Sequence, residues 1–190
     1  SGKGVWLYDF DGNKYLDAIS SWWVNIFGHS NKFINDSVNR QIKKLEHVLL
    51  AGFTHEPAVN LAENLIKLTP KSIKKCFFTD NGSSSIDAAM KMSFHYWQNH
   101  GKKSKKKFIA LSNSYHGETL GSLSVSNIDL YKKTYENILR KTIIVDSPDN
   151  YLRKEKISEK MHAEMMFDKM HKAIKKNHRN ITPYQYLKKS

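Results

Sequence analysis

Residues 78–91 read FTDNGSSSIDAAMK, and this stretch decides the fold. A β-prone segment leads through Asn81-Gly82 and three serines into an alanine-rich sequence. From Ile86 onward, apolar and small residues recur at i, i+3, i+4, i+7, i+8 and i+11, which predicts a helix over 83–99 with one buried face. Such a junction is either a capped turn or an anion site built on exposed backbone N–H groups.

Beyond Pro70, short β-prone runs alternate with helical patterns. The β-prone runs are KKCFFTD (74–80), KFIALSN (107–113) and KTIIVDS (141–147). The helical patterns cover 83–99 and a segment near 129–139. This alternation predicts an α/β fold in which helices cover a parallel sheet. Ligands of such sheets bind where strands end and helices begin, so Gly82 and Ser83 are a candidate phosphate site.

The first 70 residues have a different organisation. VWLYDFDGNKYLDA (5–18) predicts a β-hairpin, because two runs of alternating apolar residues flank Asp11-Gly12. Helical spacing follows over 35–48 and again over 57–68. Thr54 is the expected N-cap of the second helix, with Pro57 in its first turn.

The chain carries 31 Lys and Arg against 18 Asp and Glu, a formal net charge of +13. The excess is local, because residues 151–190 contain 11 basic and 4 acidic side chains and residues 102–107 add five lysines. Neither patch interleaves aromatic with basic residues, and no nucleic-acid-binding signature occurs. A solvated basic surface is therefore favoured over a nucleic-acid partner.

No apolar run approaches the length of a membrane span, and the N-terminus lacks the pattern of a secretory signal. A cytoplasmic protein without a membrane partner is expected. The single Cys76 excludes an internal disulfide, and its place in KKCFFTD favours a buried strand residue over a reactive thiol.

Four segments resemble the class III, fold-type I aminotransferases, which use pyridoxal 5′-phosphate. The segments are YDFDGNKYLDAISSWW (8–23), AGFTHEPAVNLAENL (51–65), FFTDNGSSSIDAAMKMSFHYW (77–97) and SNSYHGETLGSLSVS (112–126). They follow the family's order and spacing, and the resemblance covers roughly residues 4–150. It implies three parts. Residues 1–55 belong to the small domain and dimer interface, residues 56–150 begin the large cofactor-binding domain, and residues 151–190 form a helix and an aberrant tail.

The resemblance also implies roles for individual residues. Gly82 and Ser83 match the pair that holds the cofactor phosphate, and Tyr115 matches the aromatic residue that stacks on the pyridine ring. Trp22 and Trp23 match a pair near the substrate, although core packing is the alternative and is preferred for Trp23. No metal site is predicted.

The double tryptophan, GFTHEPA and the Tyr-Trp end of the 83–99 helix most resemble the branch that acts in biotin biosynthesis. That branch converts 8-amino-7-oxononanoate to 7,8-diaminononanoate with S-adenosylmethionine as amino donor, and the family generally forms homodimers. In this chemistry a lysine holds the cofactor as a Schiff base and moves the proton. The resemblance places that lysine beyond this chain, so no catalytic residue is assigned within it.

Residues beyond Asp149 predict a helix with an apolar stripe from Ile157 to Ile174. The following RNITPYQYLKKS suits a central strand poorly, because it contains Pro183 and terminal lysines. We therefore expect an incomplete copy with a truncated or frameshifted end and a missing N-terminal segment. The alternatives are a catalytically inactive remnant that binds phosphate or a partner chain, and another class III ω-amino-acid aminotransferase.

Overall fold

The structure, a computed structural model, describes residues 1–154 and 156–182. The chain divides into two compact units, Ser1–Cys76 and Phe77–Ser190. None of the helices within the described ranges combines the length and the apolar character needed to cross a membrane.

The first unit begins with a three-stranded antiparallel sheet formed by β1 (Gly2–Lys3), β2 (Trp6–Tyr8) and β3 (Lys14–Leu16). The predicted hairpin is confirmed, with Trp6 opposite Leu16 and Tyr8 opposite Lys14. Asp9 closes its turn, because the Oδ1 atom accepts hydrogen bonds from the Asp11 and Asn13 amides. Gly12 supplies the positive φ of 84° that this turn requires.

Three helical segments complete the first unit: α1 (Ser20–Trp23), α2 (Lys32–Lys44) and α3 (Glu56–Leu68). Helix α2 begins three residues before the prediction, because the Asn31 side chain caps it by accepting from the Ile34 amide. The expected Thr54 cap of α3 is wrong. His55 is the cap, its Nδ1 atom accepting from the Ala58 amide at 3.3 Å, and Pro57 lies in the first turn as predicted.

The second unit contains α4 (Gly82–Asn99), β4 (Ile109–Leu111), α5 (Leu120–Val125), α6 (Asp129–Lys132), β5 (Ile143–Val145) and α7 (Glu159–Asn177). Strands β4 and β5 pair in parallel, which confirms the predicted parallel pairing. The helix expected near 129–139 is only the four residues of α6 followed by the 3-10 helix Lys133–Ile138. This segment buries little, since Leu130 is 81% and Ile138 64% exposed.

The strand expected within KKCFFTD (74–80) is wrong. Residues 74–79 form no strand, because no segment among the described residues offers them a ladder of hydrogen bonds. Cys76 is accordingly not a buried strand residue. It is half-buried, with its Sγ atom 3.9 Å from the carbonyl oxygen of Ala62.

The core of the second unit lies between the β4–β5 pair and the helices α4 and α5. Phe108, Ala110 and Val125 form a buried cluster, and Ile86 and Met90 of α4 pack against it. The apolar face predicted for α4 therefore meets the core, although none of its residues is fully buried. On α7, Met166 is buried, whereas Met161 and Met165 remain exposed.

The segment after α7 does reach the sheet. Ile181 forms a parallel bridge with Lys107, and Ile181 and Thr182 are both buried. The Thr182 amide donates to the carbonyl of Lys107 at 2.9 Å. The beginning of RNITPYQYLKKS thus takes a strand-like place, contrary to expectation, whereas Pro183 and the terminal lysines lie outside the described residues.

We expect the isolated chain to associate and to unfold without one sharp transition. No apolar residue in 1–76, all of which the structure describes, is buried, and many large apolar side chains are exposed. Marginal stabilities of about 5–15 kcal/mol depend on such burial. Size-exclusion chromatography across protein concentrations and urea unfolding test this; a monodisperse monomer with one cooperative transition would contradict it.

Candidate functional site

Helix α4 starts with two backbone donors that its own cap does not use. Asn81 is the N-cap, and its Oδ1 atom accepts from the Ser84 amide at 2.9 Å. The Ser85 amide donates to the Asn81 carbonyl. Among the described residues, the amides of Gly82 and Ser83 have no acceptor, and they lie at the positive end of the helix dipole.

The space beside Gly82 is open. A Cβ atom at this position would meet no other atom within 4 Å, and the residue is exposed. Packing within the described part of the chain therefore gives no reason for glycine here. A close approach of a ligand to the backbone is a physical reason for it.

The loop after β4 folds over Ser83. The Glu118 amide donates to Ser83 Oγ at 3.1 Å, and the Ser122 hydroxyl donates to the Ser83 carbonyl at 2.8 Å. Gly117 makes this approach possible, because a Cβ there would lie 1.8 Å from Ser83 Oγ and its φ is +114°. Since the Ser83 oxygen accepts from Glu118, its own proton remains available to a further acceptor.

Tyr115 lies in the same loop, half exposed. Its hydroxyl donates to Glu118 Oε1 at 2.9 Å, and its ring centroid is 5.3 Å from that of Tyr131. The hydrogen bond to Glu118 is the main cause that raises the pKa of Tyr115, so the phenol stays neutral at physiological pH. The ring is therefore an uncharged aromatic surface.

Glu118 joins the two predicted site residues. Its backbone amide contacts Ser83, and its carboxylate contacts Tyr115. Sequence reasoning missed it, as it missed the contact between Gly117 and Ser83. The only signal in the sequence was that Gly117 and Glu118 lie two and three residues after Tyr115 in SYHGETL.

The predicted substrate residues lie in the other unit. Trp22 is 66% and Trp23 72% exposed on α1, with ring centroids 5.0 Å apart and planes inclined by 40°. Core packing, the preferred interpretation for Trp23, is therefore wrong within this chain. In GFTHEPA, His55 caps α3, and Glu56 pairs with Lys44 at 2.8 Å.

The sequence profile of the aminotransferase class-III family matches residues 1–182, so the chain belongs to this family. The match extends beyond the stretch of roughly 4–150 expected from the motifs. The fold agrees, because the structure matches those of class III aminotransferases.

Individual relatives are similar over most of this chain. The adenosylmethionine-8-amino-7-oxononanoate aminotransferase of Helicobacter pylori is 50% identical over 149 residues, which are 78% of this chain and 34% of the relative. The crystal structure of the enzyme of that name from Methanocaldococcus jannaschii has a TM-score of 0.82 and 33% identity, covering 95% of this chain and 38% of that one. The ω-transaminase from Pseudomonas jessenii, in complex with PMP, has a TM-score of 0.86 and 30% identity, covering 95% and 40%. The chain thus spans about a third of the length of the curated relatives it matches.

We predict that Gly117→Ala destabilises the second unit by about 2–6 kcal/mol. Backbone strain contributes about 1–3 kcal/mol and the overlap with Ser83 about 1–3 kcal/mol more. Gly101→Ala is the matched control, because its φ is +69° but a Cβ there meets nothing within 4 Å. Urea midpoints of the native protein that carries these residues compare the two; equal costs would show that the contact with Ser83 is unimportant.

Proposed function

We propose that this chain is part of a pyridoxal 5′-phosphate-dependent aminotransferase that converts 8-amino-7-oxononanoate to 7,8-diaminononanoate in biotin biosynthesis. S-adenosylmethionine is the proposed amino donor. The observation that carries the proposal is the arrangement at the start of α4, where Glu118 links Ser83 to Tyr115. The 50% identity to the Helicobacter pylori relative supports the choice of substrate.

The residues present fit the cofactor. The amides of Gly82 and Ser83 and the Ser83 hydroxyl would hold a phosphate, and the open space beside Gly82 admits it. Tyr115 would supply the aromatic face for the pyridine ring. When bound, pyridoxal phosphate supplies the electron sink that amino transfer requires.

The loop that carries Tyr115, Gly117 and Glu118 also orients the Tyr115 ring and covers one side of Ser83. Glu118 accepts the hydrogen bond of the Tyr115 hydroxyl, which fixes the orientation of the ring. Gly117 is buried, so the loop covers the side of Ser83 that faces it. We assign the Schiff-base lysine to none of the described residues.

Trp22 and Trp23 are the proposed substrate residues of the first unit. Both indoles are exposed, which leaves their apolar faces available to the alkyl chain of 8-amino-7-oxononanoate. The apolar surface of the first unit is consistent with a homodimer, in which a second copy would cover part of it. A cytoplasmic location is part of the same proposal.

A second candidate is an ω-amino-acid aminotransferase, favoured by the TM-score of 0.86 to the Pseudomonas jessenii enzyme. An assay of the native protein that carries these residues distinguishes the two proposed activities. The protein is given either 8-amino-7-oxononanoate with S-adenosylmethionine or an ω-amino acid with an amino acceptor. Formation of 7,8-diaminononanoate with S-adenosylmethionine as donor supports the proposal. Amino transfer from ω-amino acids, without formation of 7,8-diaminononanoate, would support the second candidate instead.

We predict that Ser83→Ala weakens retention of pyridoxal phosphate by roughly 1–3 kcal/mol, the range for a lost hydrogen bond to a charged group. Tyr115→Ala should weaken it as well through lost stacking. The matched controls are Ser72→Ala at an exposed serine and Tyr135→Ala, since Tyr135 is 49% and Tyr115 50% exposed. Equilibrium dialysis of the native protein that carries these residues measures the retention of pyridoxal phosphate. Parent-like binding by both Ser83→Ala and Tyr115→Ala would refute the phosphate and ring assignments.

Gly82→Ala separates an anion site from a simple capped turn. Alanine should stabilise the helix by up to about 1 kcal/mol, because glycine has the poorer helix propensity and the new Cβ meets no atom. The same methyl group would obstruct a phosphate at the amides of Gly82 and Ser83. We expect higher stability with weaker binding of inorganic phosphate and of pyridoxal phosphate; unchanged binding of both would favour the capped turn.

A further inference from the structure

Helix α1 is a left-handed turn of four residues, none of which is glycine. Ser20, Ser21, Trp22 and Trp23 have φ values of 49°, 47°, 67° and 67°. L-residues avoid this conformation because Cβ approaches the following carbonyl oxygen. A run of this kind persists only where surrounding contacts hold it.

Asp17 supplies such contacts. Its Oδ1 atom accepts from the Ser21 amide at 2.9 Å, and its Oδ2 atom accepts from the Ser21 hydroxyl at 2.7 Å. Its side chain is only 6% exposed. The hydrogen bond from the Ser21 amide is the main cause that lowers the pKa of Asp17 to about 2, so the carboxylate is ionised at physiological pH.

His29 holds the other side of this carboxylate. Its Nε2 atom lies 2.7 Å from Asp17 Oδ2, and its side chain is 14% exposed. The Asn25 side-chain amide lies 3.3 Å from His29 Nδ1. If the Asn25 nitrogen donates there, Nδ1 is the acceptor and Nε2–H donates to Asp17, so a neutral imidazole suffices.

Both members of the pair are fixed to the sheet through their backbones. The Asp17 amide donates to the Val5 carbonyl at 2.9 Å. His29 and Gly4 exchange two backbone hydrogen bonds of 2.7 and 3.0 Å. A Cβ at Gly2 would lie 2.9 Å from His29 Cβ, so the histidine lies directly against the strand.

We propose that Asp17 and His29 are positioning residues that hold α1 in its left-handed conformation and thereby fix Trp22 and Trp23 as a preformed apolar platform. The ligand chemistry that fits two exposed, adjacent indoles is an extended alkyl chain. The ligand half of this inference rests on the proposed function. The conformational half does not.

The conformational half is tested by circular dichroism on the native protein that carries these residues, in the absence of substrate. Two indoles 5.0 Å apart and inclined by 40° couple electronically and give a paired positive and negative band. Trp23→Phe identifies this couplet, because it removes one indole and keeps an aromatic ring. Its amplitude then reports the geometry of α1.

Asp17→Asn is the main variant. The asparagine amide keeps the shape of the side chain, but its NH2 group then faces either the Ser21 amide or both the Ser21 hydroxyl and His29 Nε2. We expect the couplet to fall several-fold. Asp36→Asn is the matched control, because Asp36 is a 46% exposed carboxylate paired with Lys32, and it should leave the couplet unchanged.

Milder variants keep the inference testable if Asp17→Asn fails to fold. Ser21→Ala removes one hydrogen bond to the carboxylate, and His29→Leu removes the imidazole donor. Each should reduce the couplet, and His29→Gln should restore part of it because its amide can donate. A parent-like couplet in Ser21→Ala and His29→Leu would overturn the inference, as would a parent-like couplet in a folded Asp17→Asn variant.

The ligand half has a separate readout in the native protein. There Asp17→Asn should raise KM for the alkyl substrate several-fold, with a smaller change in kcat. A lost couplet with unchanged KM would remove Trp22 and Trp23 from the substrate site and leave the positioning role standing. An intact couplet would overturn the positioning role whatever the kinetics.

Discussion

The contact between Gly117 and Ser83 is the constraint on which the candidate site depends. No side chain fits at residue 117, because its Cβ would overlap the Ser83 hydroxyl oxygen. The backbone of the loop can therefore come close enough for the Glu118 amide to reach that oxygen. Once Glu118 is held, its carboxylate accepts from Tyr115, and the aromatic residue is placed beside the helix start.

Sequence patterns predicted the local parts of this arrangement well. Helix α4 starts within one residue of the prediction, and the hairpin closes at Asp11-Gly12. Both depend on contacts a few residues apart, such as the Asn81 cap and the hydrogen bonds of Asp9. The same locality explains why Gly82 and Ser83 could be singled out before any tertiary contact was known.

Features that depend on distant partners were predicted poorly. The strand expected within KKCFFTD (74–80) requires a hydrogen-bonding neighbour that sequence periodicity does not reveal. Core packing was preferred for Trp23, yet none of the residues that the structure describes covers its 72% exposed side chain. The left-handed turn of α1 was also invisible, because it depends on Asp17 and His29 rather than on glycine.

The buried Ser122 of α5 and Ser126, the residue that caps the C-terminus of α5, show why the site and the core cannot vary separately. The Ser126 hydroxyl accepts from the His116 amide and donates to the Ser122 carbonyl, while the Ser122 hydroxyl donates to Ser83. An apolar residue at Ser126 would remove the acceptor of the His116 amide, and one at Ser122 would remove the hydroxyl that donates to Ser83, each at a cost of about 0.5–1.5 kcal/mol. Since His116 follows Tyr115 and Ser83 is the second residue of α4, the hydroxyl groups of Ser122 and Ser126 connect both halves of the site. The buried hydroxyl groups therefore help to hold the loop that carries Tyr115 against the start of α4.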